Sequence, residues 1–319
     1  MSDLGVTVIG AGIMGANHAR VVTQLRGAHL VGVVDPDIER ARQLVGTSGA
    51  TAAEDIGELI EATDLAVIAV PTALHFDLAR RLIDANIAVL VEKPIAASHA
   101  EATDLVGLAA ESNVLLAVGH VERFNAAVAE LPNLIEDPIH VRAVRVSPYS
   151  PRISDGVVHD LMIHDIDIVL SLFGPDVDIA EVGGTGRILH GPSEDLANAH
   201  ISLSNGVTAA FETSRLGQQK VRQIEITQRD SVIVADLLRQ DVTIHRMSRH
   251  EYLADDGVRY RQSSVVEIPF LDQRGEPLLR ELQDVVDSVA EGRAPRVDGT
   301  AGARALHVAD LISASLVRS

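Results

Sequence analysis

The 319-residue chain contains no cysteine. Disulfides, thiolate nucleophiles and thiolate metal ligands are thereby excluded, which fits a reducing compartment. Lysine is nearly absent as well: Lys93 and Lys220 are the only two, against 25 arginines. No long basic run occurs, and the formal net charge is −18. A polyanionic partner such as nucleic acid is disfavoured, because phosphate contacts need clustered Lys and Arg. No window approaches the roughly 18 consecutive apolar residues that span a bilayer. The N-terminal stretch MSDLGVTVIG lacks the basic flank and apolar segment of a secretory signal. The expectation is a cytoplasmic protein with neither membrane nor nucleic-acid partners.

What remains is an ordinary globular composition, 46% hydrophobic and 23% charged, long enough for about two domains. The first 120 residues alternate between two patterns. Short apolar runs stand at 6–10, 30–34, 65–70, 88–92 and 114–119. Helical stretches lie between them. Continuous apolar runs are the mark of strands buried on both faces, and this alternation predicts a doubly wound parallel sheet. Beyond residue 121 the texture changes. VRAVRVSPY, ANAHISLS, VTAAFETSR, VRQIEITQ, SVIVADLL and DVTIHRM suit strands, with Ser204-Asn205-Gly206 as a hairpin signal between two of them. A mostly antiparallel sheet is expected there, and the tail is helical. The expected organisation is a doubly wound domain over 1–120, a second α/β domain over 121–275, and C-terminal helices over 276–319.

Three segments carry chemistry. Gly10-Ala11-Gly12-Ile13-Met14-Gly15 follows a strand and opens a helix. In that setting the first glycine permits a tight turn, the second admits a pyrophosphate, and the third lets helix and strand pack closely. Asp35, at the end of the next strand, would accept from a ribose 2′-OH and repel a 2′-phosphate, favouring NAD over NADP. A structural turn, or another nucleoside cofactor such as a methyl donor, are the alternatives. Glu92-Lys93-Pro94 ends the fifth strand, where open α/β sheets bind ligands. A lysine there could stabilise an alkoxide or take part in proton transfer; taken alone, a surface lysine is the favoured explanation. Third, the helix opening at His159 places Asp160, His164, Asp167 and Ser171 on one stripe of a mostly apolar helix. A carboxylate one turn from an imidazole can orient it, and histidine suits a general base near neutral pH. A core histidine satisfied by its neighbours, or a metal site of Asp160, His164 and Asp167, compete; no second histidine stands at ligand spacing, so no metal is expected. His159 points away and is given no role.

In this order the motifs resemble the Gfo/Idh/MocA oxidoreductase family. The resemblance rests on GAGIMG (10–15), VPTALH (70–75), VEKPIA (91–96), GHVERFN (119–125) and DLMIHDID (160–167). It implies an NAD-binding Rossmann domain over 1–120, a substrate-binding and oligomerisation α/β domain with an open sheet over 121–275, C-terminal helices over 276–319 packing back towards the Rossmann domain, and a homodimer or homotetramer formed through that sheet. The family's catalytic lysine falls on Lys93 and its Asp–His pair on Asp160 and His164. Ile13, Met14, Thr72, His75 and Glu92 join the glycines and Asp35 as residues implied to line the cofactor. Met162 stands where many members carry glycine. The stretch from Ser147 to Asp167, with GHVERFN, is similar to the UDP-N-acetylglucosamine 3-dehydrogenase-like branch, although Ser147-Pro148-Tyr149 replaces an expected Gly-Pro-Phe. The implied activity is NAD-dependent oxidation of a sugar secondary hydroxyl, probed by Arg123, Asn125 and Arg152 as candidate substrate contacts. Its alternatives are the reverse ketosugar reduction, an inositol or free-sugar dehydrogenase, and a non-catalytic NAD-binding sensor. His164 and Lys93 can exchange the roles of proton acceptor and oxygen polariser.

Overall fold

The computed structural model describes residues 3–150, 155–254, 257–271 and 275–318. Its first half runs β1 (Leu4–Ile9), α1 (Ile13–Val22), β2 (Ala28–Val34), α2 (Ile38–Val45), β3 (Thr51–Ala53), β4 (Leu65–Ile68), α3 (His75–Asp84), β5 (Ala88–Glu92), α4 (His99–Ser112) and β6 (Leu116–Gly119). There follow α5 (Ala126–Leu134), β7 (Pro138–Val146), α6 (Ile163–Phe173), β8 (Ile179–Arg187), β9 (Leu196–Leu203), β10 (Thr208–Ser214), β11 (Val221–Gln228), β12 (Ser231–Asp236), β13 (Asp241–Ala254) and β14 (Gly257–Glu267). The chain closes with α7 (Pro277–Glu291), α8 (Gly299–Ser315) and β15 (Leu316–Arg318). Two compact units result: Met1–Phe124 with Glu276–His307, and Asn125–Gly275 with Val308–Ser319.

In the first unit six parallel strands lie in the order β3-β2-β1-β4-β5-β6. The order reverses between β1 and β4, and a doubly wound sheet opens its ligand crevice at that switch point. Successive strand residues point to opposite faces, so each face has its own core. Val6, Val8, Leu65, Val67 and Leu90 pack with Val22 of α1, Ala41 of α2 and Leu282 and Val285 of α7. Ile9, Ile68, Val89 and Val91 pack with Leu82 and Ile83 of α3, Leu105 of α4 and Leu306 of α8. Each such fully buried side chain contributes about 1.5–3 kcal/mol. Helix α7 earns its place on the sheet by spacing. Leu278, Leu282, Val285 and Val286 recur on one buried stripe. Pro277 opens the helix and Gly292, at φ 65°, closes it.

The second unit holds a nine-stranded sheet ordered β14-β13-β12-β11-β7-β10-β9-β8-β15. Only β7 with β10 and β8 with β15 pair in parallel; the other neighbours are antiparallel. The Ser204-Asn205-Gly206 turn joins β9 to β10 as the sequence predicts, with Gly206 at φ 87°. Helix α5 packs against β12 and β13, and α6 against β7. Their face takes Val141, Ala143, Ile201, Phe211 and Ile226, all buried. The opposite face exposes Arg142, Asn198, His200 and Glu212. No described helix is long and apolar enough to cross a membrane. Four strands go beyond those named from the sequence. β3 has three residues, β15 has three, β14 (Gly257–Glu267) follows the last named segment, and β8 (IAEVGGTGR) carries three glycines in place of a β-branched run.

Candidate active site

The glycine-rich loop leaves the carboxyl end of β1. Gly10 stands at φ 103°, a backbone region that L side chains rarely adopt, and a Cβ there would lie 2.5 Å from the Ala69 carbonyl oxygen. A Cβ on Gly15 would lie 1.7 Å from the Gly10 carbonyl oxygen, so helix α1 could not approach β1 with any side chain at this position. At Gly12 a Cβ would meet nothing within 4 Å. The second glycine thus faces open space, which is what the approach of a pyrophosphate to the backbone requires. Asp35, just past β2, is held in that loop. Its Oδ2 accepts from the Ala11 N–H at 2.7 Å and its Oδ1 from the Asp37 N–H at 2.9 Å. Ile13 and Met14 are apolar yet 74% and 37% exposed at the start of α1, where they offer surface to a bound ring. The residues present therefore fit a dinucleotide.

Lys93 is the first residue beyond β5, and its peptide bond to Pro94 is cis. The Glu92 carboxylate beside it is well satisfied. Oε1 lies 2.7 Å from His18 Nε2, and Oε2 accepts from the Lys93 N–H at 3.3 Å. Burial works to raise the Glu92 pKa. The His18 hydrogen bond, the charges of His18 and Lys93, and the Lys93 N–H outweigh it, and the carboxyl is held below its usual range. Thr72 is half-buried in the short 3-10 turn Thr72–Leu74 that follows β4. His75 opens α3. Its ring is buried, with Nδ1 2.8 Å from the Pro94 carbonyl oxygen and Nε2 2.9 Å from that of Val70. Both partners only accept, so a neutral ring donates to one of them. Burial lowers the pKa and favours that neutral form. The His75 ring is thus buried between the residue after Lys93 and the residue just past the end of β4.

In the second unit the segment before α6 does not continue the α-helix. Val158–Met162 form one π-helical turn, which places Asp160 in the wider turn and His164 in the first turn of α6. Such π turns recur at functional sites. Asp160 and His164 are both half-buried. Asp167 is buried, and Ser171 donates to the Ile168 carbonyl at 2.6 Å. The Asp160 carboxylate faces Arg215 Nη2 at 3.5 Å, and that buried guanidinium also donates to the Asp155 carbonyl. Glu194 secures the entry to this turn: its carbonyl accepts from the Val157 N–H at 3.0 Å and its carboxylate from the Val158 N–H at 3.4 Å. Asp165, an apparent exception on an apolar helix, is matched by Arg145 of β7. Nε reaches both carboxylate oxygens at 3.1 and 3.0 Å and Nη2 reaches Oδ1 at 2.7 Å, with side chains 2% and 3% exposed.

The other expectations fall as follows. His159, given no role, pairs with Asp310 at 2.8 Å. Arg123 is half-buried in the 3-10 turn Val121–Phe124. Asn125 was expected at the substrate, yet its buried amide caps α5. Oδ1 accepts from the Ala127 N–H at 3.1 Å and Nδ2 donates to the Leu237 carbonyl at 2.9 Å. Arg152 lies outside the described residues. Among the described residues no three His, Asp or Glu side chains converge as a metal-holding group. Sequence reasoning missed His18, Arg145, Glu194 and Arg215. Only His18 left a signal: with Gly15, Ala19 and Val22 it lies on the buried stripe of α1, the one polar residue of the four.

Comparison with known proteins places both units. Residues 4–120 match the model of the oxidoreductase family's NAD-binding Rossmann fold, and residues 141–317 that of its C-terminal alpha/beta domain. The chain is 31% identical over 312 residues to the UDP-N-acetylglucosamine 3-dehydrogenase of Acidithiobacillus ferrooxidans, covering 97% of this chain and 96% of that one. A crystal form of that enzyme superposes with a TM-score of 0.87 over 99% of this chain and 98% of the other, at 28% identity. The scyllo-inositol 2-dehydrogenase (NAD(+)) of Bacillus subtilis is 30% identical, covering 91% of this chain and 87% of its own.

Proposed function

The chain belongs to the Gfo/Idh/MocA oxidoreductase family, and from that premise we propose that it is an NAD-dependent dehydrogenase of a sugar secondary hydroxyl, the sugar being carried on a nucleotide. The observation that carries this reading is the end-to-end likeness to a UDP-N-acetylglucosamine 3-dehydrogenase, 31% identity across 97% of the chain. Gly10, Gly12 and Gly15 would hold the pyrophosphate and Asp35 the adenosine ribose, with Ile13, Met14 and Thr72 lining the cofactor. When bound, NAD supplies the hydride acceptor. His164 takes the hydroxyl proton, Asp160 and Arg215 fix the local charge around it, and Lys93 polarises the substrate oxygen as it gains negative charge. The carbinol carbon thus loses a hydride and its oxygen a proton, leaving a ketone. The same groups run the reverse reduction. Arg123 is retained as a candidate for the diphosphate of the substrate.

A second reading, an inositol dehydrogenase, has its own support in the 30% identity to the Bacillus subtilis scyllo-inositol enzyme. Thermal-shift and NAD-reduction assays with UDP-sugars, free sugars and inositols separate the two. Stabilisation and turnover with UDP-N-acetylglucosamine are expected; a response to inositols alone would replace the first reading by the second. In the same assays NAD should be preferred over NADP, since Asp35 would face a 2′-phosphate. Equal use of NADP would remove Asp35 from cofactor selection.

The exposed face of the nine-stranded sheet is assigned to self-association with a second copy. Half-buried Val144 of β7 and Val232 and Val234 of β12 stand there on either side of β11, without a covering layer among the described residues. A monomer by light scattering at assay concentration would contradict this assignment.

A further inference from the structure

We propose that His18 is a positioning residue for the reaction, locking the Glu92–Lys93 segment to the cofactor-binding helix α1. The inference rests on the reading of Lys93 as a catalytic residue and adds to it.

His18 is fully buried, between neighbours on α1 that are small or aliphatic. A residue serving only to fill that space would be apolar, because a buried polar ring needs a partner. Its Nδ1 has no hydrogen-bond partner among the described atoms. The one polar contact of the ring is therefore Nε2 to Glu92 Oε1, at 2.7 Å, across 74 residues of sequence. The second oxygen of the same carboxylate accepts the backbone N–H of Lys93. Room for the carboxylate is made by Gly119, the last residue of β6: a Cβ there would stand 3.0 Å from Glu92 Oε2. His18 thus holds one oxygen, Lys93 N–H the other, and the edge of β6 backs the group. On the far side of Lys93, the buried His75 ring lies against the Pro94 carbonyl oxygen, 2.8 Å from Nδ1. The lysine backbone is fixed on both flanks.

The arrangement links two functions. The amino end of α1 is where the glycine loop turns, and His18 lies on that same helix, a little over one turn beyond it. Whatever seats α1 also seats Glu92, and through it the start of the lysine segment. Loss of the His18 contact would leave Lys93 present but displaced, and misplacement of a catalytic group by about 1 Å can lower turnover by about 100-fold.

The test compares His18→Leu, His18→Gln and Lys93→Met for kcat, for NADH dissociation constant and for thermal midpoint. His18→Leu is expected to lower kcat by about 10- to 100-fold, with NADH affinity within a few-fold of the native protein. His18→Gln keeps an N–H that can reach Glu92 and is expected to recover most of kcat, a rescue that mere space-filling would not produce. Native kcat in His18→Leu, alongside a crippled Lys93→Met, would overturn the inference alone. Native kcat in Lys93→Met would overturn the reading beneath it. Should His18→Leu fail to fold, Glu92→Gln carries the same test: it keeps the shape, loses the charge opposite His18, and must also lower kcat. An unchanged kcat there sinks the inference.

Discussion

His164→Asn is expected to lower kcat by about 100- to 10,000-fold while NADH affinity stays within a few-fold of the native protein. A positioned general base contributes a factor of that size, equivalent to about 3–5 kcal/mol of barrier. Asparagine keeps a hydrogen-bonding group near the imidazole Nδ1 position but has no site that takes up a proton at neutral pH. The half-buried ring of His164 is reachable by a ligand, and it follows a π-helical turn that sets Asp160 behind it in sequence. The groups proposed to hold the cofactor, Gly10 to Gly15 and Asp35, belong to the other unit and do not depend on this side chain. Steady-state kinetics with fluorescence titration of NADH checks both halves. A kcat within a few-fold of native removes His164 from the chemistry.

Asp165→Ala is expected to destabilise the second unit by about 3–5 kcal/mol, the usual cost of removing one partner of a buried ion pair. The Arg145 guanidinium would stay buried, 2% exposed, without the carboxylate that meets it through two nitrogens. The desolvation cost of the buried guanidinium remains when this carboxylate is gone, so the penalty exceeds the lost attraction. The double variant Arg145→Met with Asp165→Leu should therefore recover most of the stability, since apolar replacements of a buried pair are often neutral or better. Denaturant unfolding followed by circular dichroism measures both. Equal destabilisation in single and double variants would mean that the pair itself, and not the uncompensated charge, carries the energy. Activity should track the single variant as well. Asp165 is adjacent to His164 on α6, and β7 holds that helix through Arg145.

Much of this architecture can be read from the chain before any coordinates. The glycine loop and Asp35 were legible because their constraints are local: a turn, a close approach, a strand end. The same holds for Lys93, placed by the end of an apolar run. What could not be read lies across long separations. Arg145 and Asp165 sit 20 residues apart on different elements, and Arg215 meets Asp160 across 55. No periodicity links such pairs. The π turn at Val158–Met162 was invisible for another reason: its residues differ little from those of a regular helix, and packing selects the extra residue. Position beside a motif says nothing of which way a side chain turns, and the burial of His75 and Asn125 could not be read from it. Both turned inward to satisfy backbone carbonyls. β8 was missed because its glycines break the β-branched pattern, and the reason for them is across the sheet: a Cβ on Gly184 would lie 2.6 Å from the Asn198 carbonyl oxygen of β9.

The central claim is that Lys93 and His164 act on one reacting hydroxyl. A double-mutant cycle on kcat, with Lys93→Met, His164→Asn and the two combined, addresses it most directly. Groups that serve one chemical step are strongly non-additive, so the combined variant should be little slower than the slower single variant. If the two losses multiply in full, or if either single variant turns over at the native rate, the two side chains do not share a step and the account is wrong.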